Sequence, residues 1–303
     1  MAFVWKGVFP ALLTPFTEKD ELDLELFGKN LKAQHAAGVD GFILGGTLGE
    51  ASVLTTSEKE KLVKFAIEQA QGLPVILNIA EGSTREAVGQ ADLAGKWGAS
   101  GLMLLPPMRY KSDHRETVAY FKAVAASTTL PVMIYNNPVD YKIEVTLDMF
   151  DELQSAPNIN AVKESTRDVT NVTRMINRFG KRFSILCGVD TLALEEFCLG
   201  ADGWVAGLVD AFPAETVAIY RLAKAGRLEE AREIYRWFMP LLELDIHPKL
   251  VQYIKLAATA TGIGSEQVRG PRLPLEGPER ERVTAVIKKG LETRPTLPDY
   301  LRL

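Results

Sequence analysis

Pro74-Val75-Ile76-Leu77-Asn78, then Ser83-x-x-Glu86, then Gly98, then Gly101-Leu102-Met103-Leu104-Leu105 make one complete strand–helix–strand unit. Both outer runs are almost wholly aliphatic, as a parallel strand covered on its two faces requires. Ser83 and Glu86 form a capping pair that closes orphan N–H groups at a helix start. Gly98 provides the stop before the chain enters the next strand.

The same unit recurs in both directions. Upstream lie Gly7-Val8-Phe9-Pro10-Ala11-Leu12 and Gly41-Phe42-Ile43-Leu44. Downstream lie Pro131-Val132-Met133-Ile134-Tyr135, Ile159-Asn160-Ala161-Val162-Lys163, Phe183-Ser184-Ile185-Leu186-Cys187 and Gly203-Trp204-Val205-Ala206. Ser57-x-x-Glu60 and Asp113-x-x-Glu116 are further capping pairs, and Gly38, Gly72-Leu73-Pro74 and Gly180 further helix stops. Strands alternating with helices, and no second kind of segment, predict an α/β fold: a (β/α)8 TIM barrel. A doubly wound sheet is a less economical arrangement of so many units.

The strands cease after about residue 225, where only helical spacing continues. Leu228, Ala231, Ile234, Tyr235 and Phe238 form one stripe. Leu250, Val251, Ile254 and Ala258 form a second, opened by Pro248, and Val283, Val286, Ile287 and Leu291 a third. The expected organisation is a catalytic barrel over 1–225 and a C-terminal three-helix appendage over 226–303. The stretch from Pro271 to Pro278 reads as a connector.

A net charge of −4 gives no electrostatic reason to expect nucleic acid or an anionic membrane as partner. The opening Met1-Ala2-Phe3-Val4-Trp5-Lys6 lacks the pattern of a signal peptide, and no apolar run is long enough to span a bilayer. Cys187 and Cys198 fit a reducing cytoplasm without a disulfide framework. His35, His114 and His247 lack the spacing of metal ligands, so no metal is expected.

Barrel chemistry sits at the C-terminal ends of the strands. Lys163 ends the sixth run and shares a face with Ile159 and Ala161, so its amine is due to be buried. Burial lowers a lysine's pKa and raises the neutral fraction that attacks a carbonyl or imine. The structural alternative is a lysine paired with Glu164 or reaching out from the barrel mouth. Tyr135 ends the adjacent strand, and its phenol can move protons in the same pocket; alone it reads equally well as a core tyrosine. Gly45-Gly46-Thr47-Leu48-Gly49-Glu50 offers backbone N–H groups and a hydroxyl suited to a carboxylate. It matches neither a dinucleotide-binding nor a P-loop pattern.

Gly46-Thr47-Leu48-Gly49-Glu50, Tyr135-Asn136-Asn137-Pro138 and Lys163-Glu164-Ser165, in this order, resemble the dihydrodipicolinate synthase/N-acetylneuraminate lyase family. The likeness covers nearly the whole chain. It implies a class I enzyme in which Lys163 forms a Schiff base, Tyr135 transfers protons, and Thr47 with the Leu48 backbone holds the substrate carboxylate. It also implies a homotetramer, no cofactor, and a small 2-oxo acid or its cyclic imine as substrate. Ser165, Gly188 and Val205 are further substrate-binding candidates, with Ser165 placed to touch a substrate hydroxyl.

The departures from the synthase pattern carry information. Leu48 stands where synthases carry a second threonine. Asp140 stands near their carboxylate-reading arginine, and a carboxylate there repels a dicarboxylate. Pro106-Pro107-Met108-Arg109-Tyr110 replaces an aromatic pair, leaving Tyr110 as the candidate substitute.

Among family branches the chain looks closest to the 1-pyrroline-4-hydroxy-2-carboxylate deaminases. The matching features are Trp5-x-Gly7-Val8-Phe9-Pro10, Tyr141-Lys142, Glu233-Ile234-Tyr235-x-Trp237-Phe238-Met239-Pro240 and Arg294-Pro295-Thr296-Leu297-Pro298-Asp299. The activity implied is deamination to 2,5-dioxopentanoate and ammonia. The alternatives are a 2-keto-3-deoxy sugar acid aldolase or dehydratase, dihydrodipicolinate synthase itself, and a non-catalytic barrel that binds a 2-oxo acid.

Overall fold

The eight expected strands are present in the computed structural model, which describes residues 4–107 and 109–303. Met1, Ala2, Phe3 and Met108, used in the sequence reading, lie outside the described residues. The strands are β1 (Gly7–Pro10), β2 (Phe42–Leu44), β3 (Val75–Ile79), β4 (Gly101–Leu104), β5 (Val132–Asn136), β6 (Ile159–Glu164), β7 (Ser184–Cys187) and β8 (Gly203–Ala206). They pair in parallel in the order β1-β8-β7-β6-β5-β4-β3-β2. A parallel bridge between Ala11 and Ile43 then brings β1 to β2 and closes the cylinder. Almost every strand residue is buried, which explains why the runs show no polar alternation.

Helices follow each strand and shield the outer face. The helix Thr84–Trp97 is capped by Ser83 and stopped by Gly98 at φ +90°, a conformation in which a side chain costs energy. Asp113 and Glu116 form a reciprocal capping box on the helix His114–Ala126. One start differs from expectation. The helix Thr56–Gln69 is opened by a box between Thr55 and Glu58, two residues before Ser57 and Glu60. Thr55-x-x-Glu58 has the same pattern, and its Glu58 side chain reaches back to the Thr55 N–H at 2.9 Å.

Three helices, Leu228–Leu242, Leu250–Ala260 and Gly277–Glu292, form the C-terminal appendage. They bury Ala231, Ile234, Tyr235, Phe238, Val251, Ile254, Ala258, Val283 and Ile287 against the barrel's own core. Leu228 is 37% exposed and so falls off the expected stripe, because it begins its helix at the surface. The second of these helices reaches the barrel mouth. Its Lys255 Nζ stands 2.6 Å from Glu50 Oε1, and both side chains are essentially fully buried. The Arg269 N–H donates to Glu50 Oε2 at 3.2 Å, and Arg272 Nη1 lies 3.6 Å from it. Among the described residues no helix is long and apolar enough to cross a membrane.

Candidate active site

Residues from several strand ends and from the appendage converge on one cavity at the C-terminal mouth of the barrel. Its lining includes Thr47, Leu48, Tyr135, Asp140, Lys163, Ser165, Gly188 and Val205, each singled out from sequence. Tyr110 is not part of it. That residue sits in a bend after β4 and is 57% exposed.

Parallel register sets the central pair. Tyr135 on β5 lies opposite Lys163 on β6. Lys163 Nζ stands 4.2 Å from the centre of the Tyr135 ring. Lys163 is only 6% exposed. Burial, the largest influence, pushes its pKa below the ordinary lysine value, against the pull of Asp245, Tyr141, Asp190 and Cys187. It makes no ion pair with Glu164, the structural alternative raised by the sequence. Glu164 instead accepts from the Thr166 N–H and from Asn171 Nδ2, both at 2.8 Å.

The hydroxyl groups around Lys163 are ordered. Asn137 Nδ2 donates to the Tyr135 hydroxyl at 3.2 Å and to Asp140 Oδ2 at 2.7 Å. Tyr141 was quoted in the sequence but given no role there. Its hydroxyl lies 2.5 Å from Thr47 Oγ1, and its ring packs edge-on to Tyr135 with centroids 5.4 Å apart. Tyr141 thus places a second phenol hydroxyl beside Thr47 and Tyr135. The one-turn helix Pro138–Tyr141, with proline at its start and Asn137 as its cap, folds this ring back over the strand end. Burial pushes both phenols above their ordinary pKa, so each holds its proton at neutral pH.

Two features suit the carboxylate and the hydroxyl of a small substrate. The Thr47 and Leu48 amides donate to no described residue, and Thr47 itself is exposed at the mouth. Ser165 Oγ is buried without a hydrogen-bond partner. Close approach makes this geometry possible at Gly188. A Cβ there would meet Ser165 Oγ at 2.1 Å and Lys163 Cγ at 2.6 Å. Gly188→Ala therefore has to displace the lysine. Misplacing a reactive group by about 1 Å costs on the order of 10²-fold in rate. We expect a loss of at least that size in kcat/KM with a retained circular dichroism spectrum; near-normal turnover would show that the lysine is not held by this contact.

Among the lining residues without a sequence signal, three shape the chemistry of the cavity. Asp245 comes from the short helical turn Glu243–Ile246 in the appendage, and Arg167 follows β6 with φ +66°. Gly207, after β8, also lines the cavity. Beneath them the buried Asp190, which ends the seventh run, accepts from the Gly207 and Leu208 N–H groups and from Trp204 Nε1. Among the described residues no group of three or more His, Cys, Asp or Glu side chains is placed to hold a metal.

The chain is an α/β barrel with a buried lysine at its mouth that forms no ion pair with a described residue. Residues 4–290 match the model of the dihydrodipicolinate synthetase family, and the chain belongs to that family. It is 34% identical over 276 residues to the 4-hydroxy-tetrahydrodipicolinate synthase of Exiguobacterium sibiricum, covering 90% of this chain and 92% of that one. Among solved structures, the 4-hydroxy-tetrahydrodipicolinate synthase of Methylacidiphilum fumariolicum SolV superposes with a TM-score of 0.91 at 27% identity, covering 95% and 97% of the two chains. YagE, a prophage protein of the same family from E. coli K12 in complex with pyruvate, superposes with a TM-score of 0.89 at 26% identity, covering 95% and 99%.

Proposed function

We propose that the chain is a Schiff-base lyase acting on a small 2-oxo acid or its cyclic imine, with Lys163 as the nucleophile. The observation that carries this reading is the environment of the amine. It is desolvated, free of any carboxylate at ion-pair distance, and opens on the cavity lined by Tyr135, Thr47 and Ser165. The pyruvate bound to YagE is a 2-oxo acid of the class proposed. Thr47 and the Leu48 amide anchor the carboxylate, Tyr135 moves protons, and Ser165 meets a hydroxyl.

The finer assignment has two contenders. The relatives named above support the synthase reaction, and they support it better than deamination. A feature of this chain favours deamination of 1-pyrroline-4-hydroxy-2-carboxylate. Asp140 lines the cavity beside the Tyr135-Asn136-Asn137-Pro138 turn and opposes a second anionic substrate group there.

In that reaction Lys163 attacks C2 of the cyclic imine and opens the ring, leaving an iminium on the enzyme and a free amine at C5. Loss of the C3 proton gives an enamine, which expels the C4 hydroxyl as water after protonation. Tautomerisation moves the imine to C5, and hydrolysis there and at Lys163 releases ammonia and 2,5-dioxopentanoate. A homotetramer, and a division into a barrel over 1–225 and an appendage over 226–303, belong to the same proposal. The test offers the purified protein the hydroxylated cyclic imine, or pyruvate with aspartate semialdehyde. We expect ammonia from the first and negligible condensation from the second. Condensation at a comparable rate would replace deamination by the synthase reaction.

A further inference from the structure

Asp245 has no place in the mechanism so far, yet it lines the same cavity as Lys163. It arrives from the appendage rather than from a strand end. Its carboxylate has no hydrogen bond or ion pair to a described residue. Room for it is made by Gly207, where a Cβ would stand 2.4 Å from Asp245 Oδ1. The same Cβ would stand 3.1 Å from Leu48 Cδ1, so Asp245 and Leu48 face each other across that glycine. Asp140 also lines the cavity, but Asn137 holds it through Nδ2 and through the cap of the short helix. Asp245 is the carboxylate left to a ligand.

We propose that Asp245 is a specificity-determining residue: it receives a hydroxyl or ammonium group of the substrate bound at Lys163. The reading rests on the proposed 2-oxo acid class. With the carboxylate held at Thr47 and Leu48 and C2 at Lys163, the rest of the substrate lies in the cavity that Asp245 lines. A polar hydrogen on that remainder has Asp245 as an acceptor. A half-buried carboxylate without a donor is unfavourable, so a substrate that supplies one is preferred over a substrate that does not. Burial and the neighbouring Asp190 and Asp140 push the Asp245 carboxyl well above its usual range, while Lys163 and Arg167 oppose this. In either protonation state it can accept such a hydrogen bond.

The test is equilibrium binding in a Lys163→Ala background, where no covalent chemistry intervenes. Calorimetry compares 4-hydroxy-2-oxopentanoate with 2-oxopentanoate. The parent should bind the hydroxylated acid about 10- to 100-fold more tightly, the range for a hydrogen bond to a charged group. Adding Asp245→Ala should remove most of that preference, weakening the hydroxylated acid far more than the plain one. Asp245→Asn keeps the shape and an acceptor, so it should retain part of the preference, and it decides the matter if the alanine variant does not fold. No preference in the parent, or an undiminished preference in the variants, overturns the assignment. Borohydride trapping on the otherwise native chain is read separately. Absence of an adduct there would remove the Schiff-base reading, while the binding comparison would still judge Asp245.

Discussion

Borohydride added to the protein with pyruvate fixes a mass adduct on Lys163, and Lys163→Ala abolishes both the adduct and turnover. The expectation follows from where the amine sits. An exposed lysine is protonated at neutral pH and does not attack a carbonyl. Lys163 is buried at the end of β6, and desolvation lowers its pKa despite the carboxylates nearby. Its neutral form is therefore available at a lower pH than for surface lysines, and the rate of trapping should reach its plateau at correspondingly lower pH. Without the amine no covalent route remains, so the loss of turnover should be complete within detection. Peptide mapping that places the adduct on another lysine, or finds none, would remove the central claim.

Tyr135→Phe comes next in expected effect, with a fall in kcat of roughly 10²–10⁴, the usual range for a lost acid–base group. The substitution keeps the ring that packs against Tyr141 and lies under the Lys163 amine, and removes only the hydroxyl bonded to Asn137. A proton shuttle acts in transition states, so KM should change less than kcat. Tyr141→Phe is the informative control, because its hydroxyl is bonded to Thr47. A larger loss from Tyr141→Phe than from Tyr135→Phe would exchange the two roles. Normal turnover of Tyr135→Phe would return that residue to the core.

The barrel was legible because parallel strands need no polar alternation, and the aliphatic runs between capped helices could hardly be anything else. The helix start at Thr55 was misplaced because two overlapping pairs carry the same chemistry, and only the fold shows which glutamate reaches back. Lys163, Tyr135 and Thr47 were visible because strand ends are where a barrel displays its side chains. Gly188 was named for its place after β7. What its missing Cβ makes possible, the packing of Lys163 beside Ser165, belongs to tertiary structure. Tyr110 stands in the sequence where the family's aromatic pair is expected, whereas Tyr141 reaches the pocket through a one-turn helix whose effect no local pattern announces. Asp245 had no local signal. It lies 82 residues beyond Lys163, in a stretch whose periodicity speaks only of helices.

The buried contact between Glu50 and Lys255 ties the turn after strand two and the C-terminal helices into one mechanical unit. Glu50 closes the turn that carries Thr47, and Lys255 belongs to the helix that follows Asp245 in the chain. Removing one partner of a buried ion pair typically costs about 3–5 kcal/mol, because the other is left uncompensated. The tail is therefore not an interchangeable module. A chimera that grafts a related protein's C-terminal helices onto this barrel would have to bring its own version of the turn at strand two. Directed evolution for a longer or shorter substrate would meet the same constraint, since the turn that carries Thr47 and the helix that follows Asp245 are joined by that one buried pair.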